Sequence, residues 1–156
     1  MSKQFEVPIQ PHLKKFILKQ YKLKEPIKVE EYSVLGKVVM GALMDKRNSV
    51  ELNKLTSHRG TGQRDLLTDT LRIILSKGMS ERAPRLHKLV RINIDMHRIF
   101  KDYMLVWIIA QHDVGIPPNT SCKRFLEKYG IDENEYSYDA AWKYWMRYKN
   151  GDKKAS

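Results

Sequence analysis

The chain has 156 residues, of which 42% are apolar and 30% charged, so it suits one soluble domain or a domain with a small added lobe. Its net charge of +11 favours a polyanionic partner, and its single cysteine, Cys122, excludes an internal disulfide. No apolar stretch is long enough to cross a bilayer, and the polar, proline-containing start is unlike a signal peptide. We therefore expect a cytoplasmic protein.

The first predicted elements are a strand and a basic helix. Apolar and polar residues alternate over Phe5–Ile9, and Pro8 confines such a strand to the edge of a sheet because it lacks an N–H. Pro11 suits the first position of the helix that follows. The cations on the polar side of this helix are Lys14, Lys15 and Lys19, with Lys22, Lys24 and Lys28 just beyond it. They form either an electrostatic footprint for a polyanion or a solvated face.

A second extended segment, residues 26–30, precedes a second helix. Ser33 is placed to cap this helix. Its predicted buried stripe consists of Leu35, Val38, Val39, Ala42 and Leu43. Gly36 and Gly41 weaken the helix propensity by about 1 kcal/mol each, which suggests that another element packs closely against them.

Residues 45–65 are polar and basic, and the sequence HRGTGQR within them reads as a loop. Arg59 and Arg64 would belong either to a phosphate-contacting arm or to a solvated hairpin tip. No GxxxxGK[ST] pattern is present, so this segment is not a Walker phosphate loop. The apolar, β-branched sequence Leu71–Leu75 predicts a strand.

A long helix is predicted from Leu86 to residue 110 or 112. Its apolar stripe consists of Leu89, Ile92, Met96, Ile99, Phe100, Tyr103, Met104 and Trp107. Asp95 could interrupt it, with a break near Ile94. The sequence Gly115–Pro118 ends it.

Two further helices are predicted near the C-terminus. Asn119, Thr120 and Ser121 offer caps for the first, and Gly130 is placed as its left-handed stop. The connector contains Asp132 and Glu135 at the spacing of a capping box, and Ser137 or Asp139 can begin the helix that runs through Lys149. The core-facing stripe of this last helix is predicted to be Tyr138, Ala141, Trp142, Trp145 and Tyr148.

This C-terminal arrangement of helix, glycine stop, connector and cationic second helix resembles a helix-turn-helix. In that motif the second helix enters the major groove of DNA, and Arg147 could read guanine there. The predicted outward residues of the last helix are Lys143, Tyr144, Arg147 and Lys149, with Lys123, Arg124 and Lys128 of the preceding helix near phosphates. The connector exceeds the usual three to four residues, which leaves a winged variant or a simple helical hairpin open.

The sequence from Gly130-Ile131 through Trp145-x-Arg147-Tyr148 is also similar to the tails of small proteins of bacterial phages and other mobile elements. A fainter similarity covers VPIQPHLKKFILKQY near the start. The resemblance implies a small DNA-associated protein with no catalytic residue to carry over.

Catalytic chemistry is not predicted. No histidine pair has metal-ligand spacing, and His97 and His112 lie about 22 Å apart along one helix at ~1.5 Å per residue. Cys122 precedes two cations near a helix start, which could lower its pKa. The carboxylate pairs Glu30-Glu31 and Glu133-x-Glu135 lack a partner acid, base or substrate cradle. We expect neither a metal nor a cofactor.

These patterns together predict an α+β, mostly helical fold with short N-terminal strands, a long central helix and a C-terminal helix-turn-helix-like unit. An N-terminal α+β lobe over 1–84 and a helical unit over 85–156 are expected, with one compact domain as the alternative. The predicted function is non-enzymatic DNA binding, as a transcriptional regulator or replication accessory of a phage or mobile element. The alternative is a phage assembly or adaptor protein. RNA is a less favoured partner, a membrane is not expected, and a homodimer is left open.

Overall fold

The computed structural model describes residues 4–44, 67–76 and 86–151, except for the side chains of Leu86 and His87. The fold is α+β and mostly helical, with a small sheet near the N-terminus and a long central helix, as predicted. The contacts divide the chain into two compact units, Met1–Arg98 and Ile99–Ser156. This boundary lies inside the long helix, whereas the boundary expected from the sequence lies before that helix.

The first unit contains a three-stranded sheet. Strands β1 (Gln4–Ile9), β2 (Ile27–Val29) and β3 (Asp69–Leu75) are arranged in the order β1-β3-β2. β1 pairs antiparallel with β3, and β2 pairs parallel with it. β1 is therefore an edge strand, and the prediction from Pro8 is confirmed. One face of the sheet is buried through residues such as Ile9, Leu71 and Ile73.

Helix α1 (Pro11–Gln20) packs on this core through Leu13, Phe16 and Ile17, and Pro11 stands at its first turn as predicted. The corner between β1 and α1 is held by a buried amide pair. The Gln10 N–H donates to Asn93 Oδ1 at 2.9 Å, and Asn93 Nδ2 donates to Gln10 Oε1 at 3.0 Å. Asn93 is fully buried and Gln10 is 7% exposed, so the two hydrogen bonds satisfy polar groups that are largely removed from water.

Helix α2 (Val34–Leu43) begins at the predicted cap, because Ser33 Oγ accepts from the Gly36 N–H at 2.9 Å. Gly36 is closely packed, since a Cβ placed there would collide with the carbonyl oxygen of Glu30, but this contact is with the segment just before the helix and not with another element. Gly41 does not confirm the expected packing of another element either, because a Cβ there would meet nothing within 4 Å. Leu35, Val39 and Ala42 are buried as predicted, while Val38 and Leu43 are half-buried.

Helix α3 (Leu86–Asp113) is continuous, so the predicted break near Ile94 is wrong. Asp95 does not interrupt the helix because Arg91, one turn earlier, engages it: Arg91 Nε lies 3.0 Å from Asp95 Oδ2. Such an i, i+4 ion pair supports a helix rather than ending it.

The second unit packs the C-terminal half of α3 against helices α4 (Pro118–Lys128) and α5 (Tyr138–Lys149). Its core is aromatic, with Phe100 5.5 Å from Phe125 and 5.1 Å from Tyr136 between ring centroids. The prediction that residues 119–121 cap α4 is wrong. The N-cap is Pro117 and makes no side-chain hydrogen bond, because Pro118 at the first position already presets the helical φ.

Gly130 ends α4 in the left-handed conformation, with φ of 65°. The Ile131 N–H donates to the Leu126 carbonyl at 2.9 Å and the Gly130 N–H donates to the Glu127 carbonyl at 3.0 Å, which together form a Schellman motif. In the connector that follows, the Asp132 carbonyl accepts the Glu135 N–H at 2.9 Å and the Tyr136 N–H at 3.1 Å.

Ser137 begins α5, and its Oγ accepts from the Ala140 N–H at 3.0 Å. The predicted inward face is confirmed at Ala141 and Trp145, which are buried. Trp142 is half-buried, and Tyr148 at the end of the helix is 50% exposed. The two tryptophans therefore serve packing more than contact with a partner.

Candidate nucleic-acid interface

The positive charge is concentrated in one unit. Residues 1–98 contain 20 lysines and arginines against 10 aspartates and glutamates, a net charge of +10. Residues 99–156 contain 9 against 8, a net charge of +1. The helix-turn-helix-like part of the chain is therefore almost neutral, and the first unit carries the field that would attract a polyanion.

Three lysines follow α1 at the surface of the first unit. Lys22 and Lys24 lie in the connection to β2 and Lys28 lies on β2; all three are exposed and make no ion pair within the described residues. We call them the α1–β2 lysine cluster. Lys19, in the last turn of α1, is also exposed, whereas Lys15 is half-buried.

Lys14 has a different environment from its neighbours. Its Nζ lies 3.3 Å from Glu25 Oε2 and 3.2 Å from Asp69 Oδ1, so two carboxylates offset its charge. Glu25 Oε1 in turn accepts the Arg72 N–H at 2.8 Å. Lys14 therefore joins α1, the α1–β2 connection and β3, and its two ion pairs make it poorly suited to contact phosphate.

The outward face of the sheet adds a cation that the sequence analysis did not select. Arg72 is exposed on β3, and its strand neighbour Ile74 pairs with Lys28, so Arg72 and Lys28 share this face. Glu6 stands opposite Arg72 on β1. The alternation Leu71-Arg72-Ile73 was the signal that could have identified it. Arg59 and Arg64 lie outside the described residues.

The exposed side of α5 carries Lys143 and Arg147. Lys143 Nζ lies 2.8 Å from Asp139 Oδ2, one turn earlier. Arg147 and Lys149 are exposed and make no ion pair within the described residues. Arg147 stands in the last turn of α5, while the first turn presents Asp139.

Tyr144 was expected to face a partner, but it is half-buried, and Lys101 Nζ lies 5.1 Å from its ring centroid. Burial raises the pKa of its phenol, and the nearby Asp102 raises that pKa further. The phenol is therefore a neutral group packed beside α3 and is less available to a partner than predicted.

Two of the α4 cations lie over aromatic rings. Lys123 Nζ is 5.2 Å from the Tyr138 ring centroid, and Lys128 Nζ is 4.8 Å from that of Trp107. Arg124 is exposed without an ion pair within the described residues. Cation–π contacts leave the charge in place, so these lysines can still attract an anion while their stems pack on the rings.

The connector between α4 and α5 is anchored by Tyr136. Burial raises the pKa of its phenol well above the usual range, and the Arg147 guanidinium nearby lowers it only in part. The ring also meets Phe100 edge-on. Tyr136 thus fixes the start of α5 to the aromatic core, which gives the cations of α5 a rigid support.

The described residues hold no group of three His, Cys, Asp or Glu side chains that could bind a metal ion. Cys122 is buried, and burial raises its pKa to about 11, the opposite of the lowering considered from the sequence. Asp95 is occupied by Arg91, and Glu133 accepts the Tyr138 N–H at 2.9 Å. His97 is buried, and its ring meets the ring of His12 edge-on. His112 is exposed.

Comparisons of the chain with family models, curated proteins and solved structures give no match. The resemblance to phage and mobile-element proteins therefore stays a prediction. No helix among the described residues has the length and apolar character needed to traverse a bilayer.

Proposed function

We propose that this protein is a non-enzymatic DNA-binding protein, in which the Met1–Arg98 unit contacts phosphates and α5 presents Arg147 as the candidate base contact. The observation that carries this proposal is the division of charge, +10 in the first unit against +1 in the second. Charge of this density attracts a nucleic-acid backbone and releases its condensed counterions. A role as a regulator or replication accessory of a phage or mobile element is the biological setting we propose.

The phosphate contacts are assigned to the α1–β2 lysine cluster, with Lys19 and Arg72 beside it in the same unit. The three lysines of the cluster are exposed and lack ion pairs within the described residues, so binding a phosphate would not first require breaking a carboxylate contact. Lys14 is excluded from this role because Glu25 and Asp69 hold it.

We assign base recognition a smaller share of the binding free energy than phosphate contacts. In a helix-turn-helix the early residues of the second helix meet the base edges, but here the first turn of α5 presents the anion Asp139. Arg147 can still form two hydrogen bonds to guanine from the last turn, which is worth about 1–3 kcal/mol of discrimination. We therefore expect a strong electrostatic contribution to affinity and a modest preference for sequence.

Binding to duplex DNA is tested by fluorescence anisotropy across a salt series. Each phosphate neutralised contributes a slope of about −0.9 to log K against log salt. Changing the cluster to alanine (Lys22, Lys24 and Lys28 together) should make the slope about 2.7 less steep if each lysine contacts one phosphate. The matched control removes three cations from the second unit, Arg124, Lys143 and Lys149, and should change the slope less.

Equal slopes for the two triple variants would contradict the assignment to the first unit. Absence of binding at low salt would remove the DNA-binding proposal altogether. Arg147→Ala should reduce the preference among duplex sequences while leaving the salt slope within about one unit of its value.

A second candidate function, assembly or adaptor activity through protein binding, is favoured by the outer side of α3. Tyr103 and Val106 are exposed there, with Val106 66% exposed, and Val114 is exposed just after the helix ends. A nuclease-treated pull-down that recovers one protein from wild type but not from Val106→Lys would support this function. Recovery that disappears with nuclease treatment would favour the nucleic-acid proposal.

A further inference from the structure

Four of the five buried polar residues in the described segments lie at one junction between α1 and α3. Asn93 and His97 stand one turn apart on α3, while Gln10 and His12 stand at the start of α1. The amide pair of Gln10 and Asn93 is one contact between the helices. His12 and His97 make the next contact, with their rings edge-on and the ring centroids 5.5 Å apart. We call these two residues the histidine pair; both belong to the Met1–Arg98 unit.

Both imidazoles of the histidine pair are almost wholly removed from water. His12 is 1% and His97 4% exposed. Burial disfavours the charged form of an imidazole, so it opposes protonation of either ring. Two positive charges 5.5 Å apart also repel, which opposes the second proton about a hundredfold at an effective dielectric constant of about 20. Whatever hydrogen bonds the rings make, the folded chain therefore resists holding two protons on the pair.

The position of His12 within α1 adds to this effect. His12 is the second residue of the helix, and the first turn of α1 has no acidic side chain. The N-terminus of a helix carries partial positive charge, which favours an anion and opposes an imidazolium. The neutral imidazole is therefore the form that suits this place in the folded chain.

The described charged groups around the histidine pair do not favour an added positive charge. Asp95, two residues before His97 on α3, is engaged by Arg91 at 3.0 Å. Asp69 on β3 is engaged by Lys14 of α1 at 3.2 Å. The other charged residues within three positions of either histidine are the cations Lys15 and Arg98.

We propose that the histidine pair is an acid-sensitive latch that holds α1 against α3. When the two helices separate, both imidazoles become hydrated and take up protons with the ordinary histidine pKa of about 6.5. The open form then binds more protons than the closed form, so stability present above this pH is lost as the pH falls through it. Because α1 runs directly into the α1–β2 lysine cluster, release of α1 would displace that cluster too.

The charge on the two rings tests this inference in the wild-type chain. Ring-nitrogen chemical shifts of the isotope-labelled full chain without nucleic acid report the protonation of each histidine, and the single variants His12→Leu and His97→Leu assign the signals. Between pH values of about 7.5 and about 5, at least one ring of the pair should stay neutral while the amide spectrum remains that of the folded chain. Two protonated rings in the folded chain would overturn the inference.

Urea unfolding at the same two pH values measures the linked stability. Each proton excluded by the folded chain raises the unfolding equilibrium constant up to about tenfold per pH unit below about 6.5. The rise between the two pH values should therefore be at least about tenfold smaller in His12→Leu/His97→Leu than in wild type. The matched control Ile17→Val deletes a buried methyl group from α1 and no titratable group, so it should lower stability by the same factor at both pH values. A double variant with the pH dependence of wild type would overturn the inference, and if it does not fold, the ring measurement on wild type decides.

Amide hydrogen exchange locates the opening. After correction for the intrinsic exchange rate, the amides of Phe16 and Ile17 in α1 should lose protection in acid by a larger factor than the amides of α5, which belongs to the other unit. Equal losses in α1 and α5 would contradict a latch at α1. None of these measurements involves DNA, so the proposed function stands or fails separately.

Discussion

We expect the amide pair between Gln10 and Asn93 to contribute far more to the free energy of unfolding than an exposed hydrogen bond does. Asn93→Ala removes the acceptor of the Gln10 N–H and the donor to Gln10 Oε1 together. Each buried polar group left without a partner costs about 1–3 kcal/mol. Because the Gln10 side chain lies near the surface at 7% exposure and can turn toward water, we expect a total loss of about 2–4 kcal/mol.

The matched variant Gln10→Ala tests the asymmetry of the pair. It keeps the backbone N–H bond to Asn93 Oδ1 and loses only the side-chain bond. We expect it to lose about 1–2 kcal/mol, roughly half of the larger effect. For a chain of this size, 1 kcal/mol shifts the thermal midpoint by about 2–4 °C, so the two variants should be separable by melting.

Urea unfolding should be followed by far-UV circular dichroism. Tryptophan fluorescence is unsuitable as the main probe because all three tryptophans, Trp107, Trp142 and Trp145, lie in the other unit. A loss for Asn93→Ala no larger than that for Gln10→Ala would refute the reasoning. The reasoning would also be refuted if the double variant lost as much unfolding free energy as the two single variants together, since this would show no coupling between the residues.

Three further outcomes are expected. Gly36→Ala should destabilise the first unit by at least about 1–3 kcal/mol because its Cβ meets the Glu30 carbonyl, whereas Gly41→Ala should stabilise it by up to about 1 kcal/mol; thermal melting of both variants checks the contrast. Ser137→Ala should cost about 1 kcal/mol through loss of the α5 cap, and Ser137→Gly only a few tenths, as measured in urea. Burial holds the pKa of Cys122 at about 11 against 9.0 for an unburied thiol, so the unfolded chain releases this proton first and stability should fall as the pH rises between these values. Unfolding across that range, with Cys122→Ala showing a smaller decline, measures this effect.

Local signals predicted most of the elements. Pro8 marked an edge strand, Ser33 and Ser137 marked helix starts, and Gly130 marked a helix stop, because each depends on the backbone geometry of a few adjacent residues. The errors at residues 119–121 and near Ile94 have the same origin. There a proline preset the helix start, and an ion pair one turn away removed the tendency of Asp95 to break the helix.

The candidate interface was less predictable because it depends on contacts distant in sequence. Lys14 looks like Lys15 and Lys19 in the sequence, but Asp69, which holds it, is 55 positions away. Asn93 reads as one of several polar residues in a long amphipathic helix, and its partner Gln10 is 83 positions away. A count of charged residues shows that residues 1–98 hold the excess of cations, but such a count could not show which of these cations remain exposed.

The ion pairs of Lys14 also affect how amine-labelling footprints of this protein should be interpreted. We expect the Lys14 ammonium group to react slowly with acylating reagents, whether or not a ligand is present, because two carboxylates hold it. The lysines of the α1–β2 lysine cluster are exposed and have no ion pair within the described residues. Increased labelling at Lys14 would therefore report loss of the fold around it. Reduced labelling at Lys22, Lys24 and Lys28 would report on a bound partner, so the two readings can be separated within one mass spectrum.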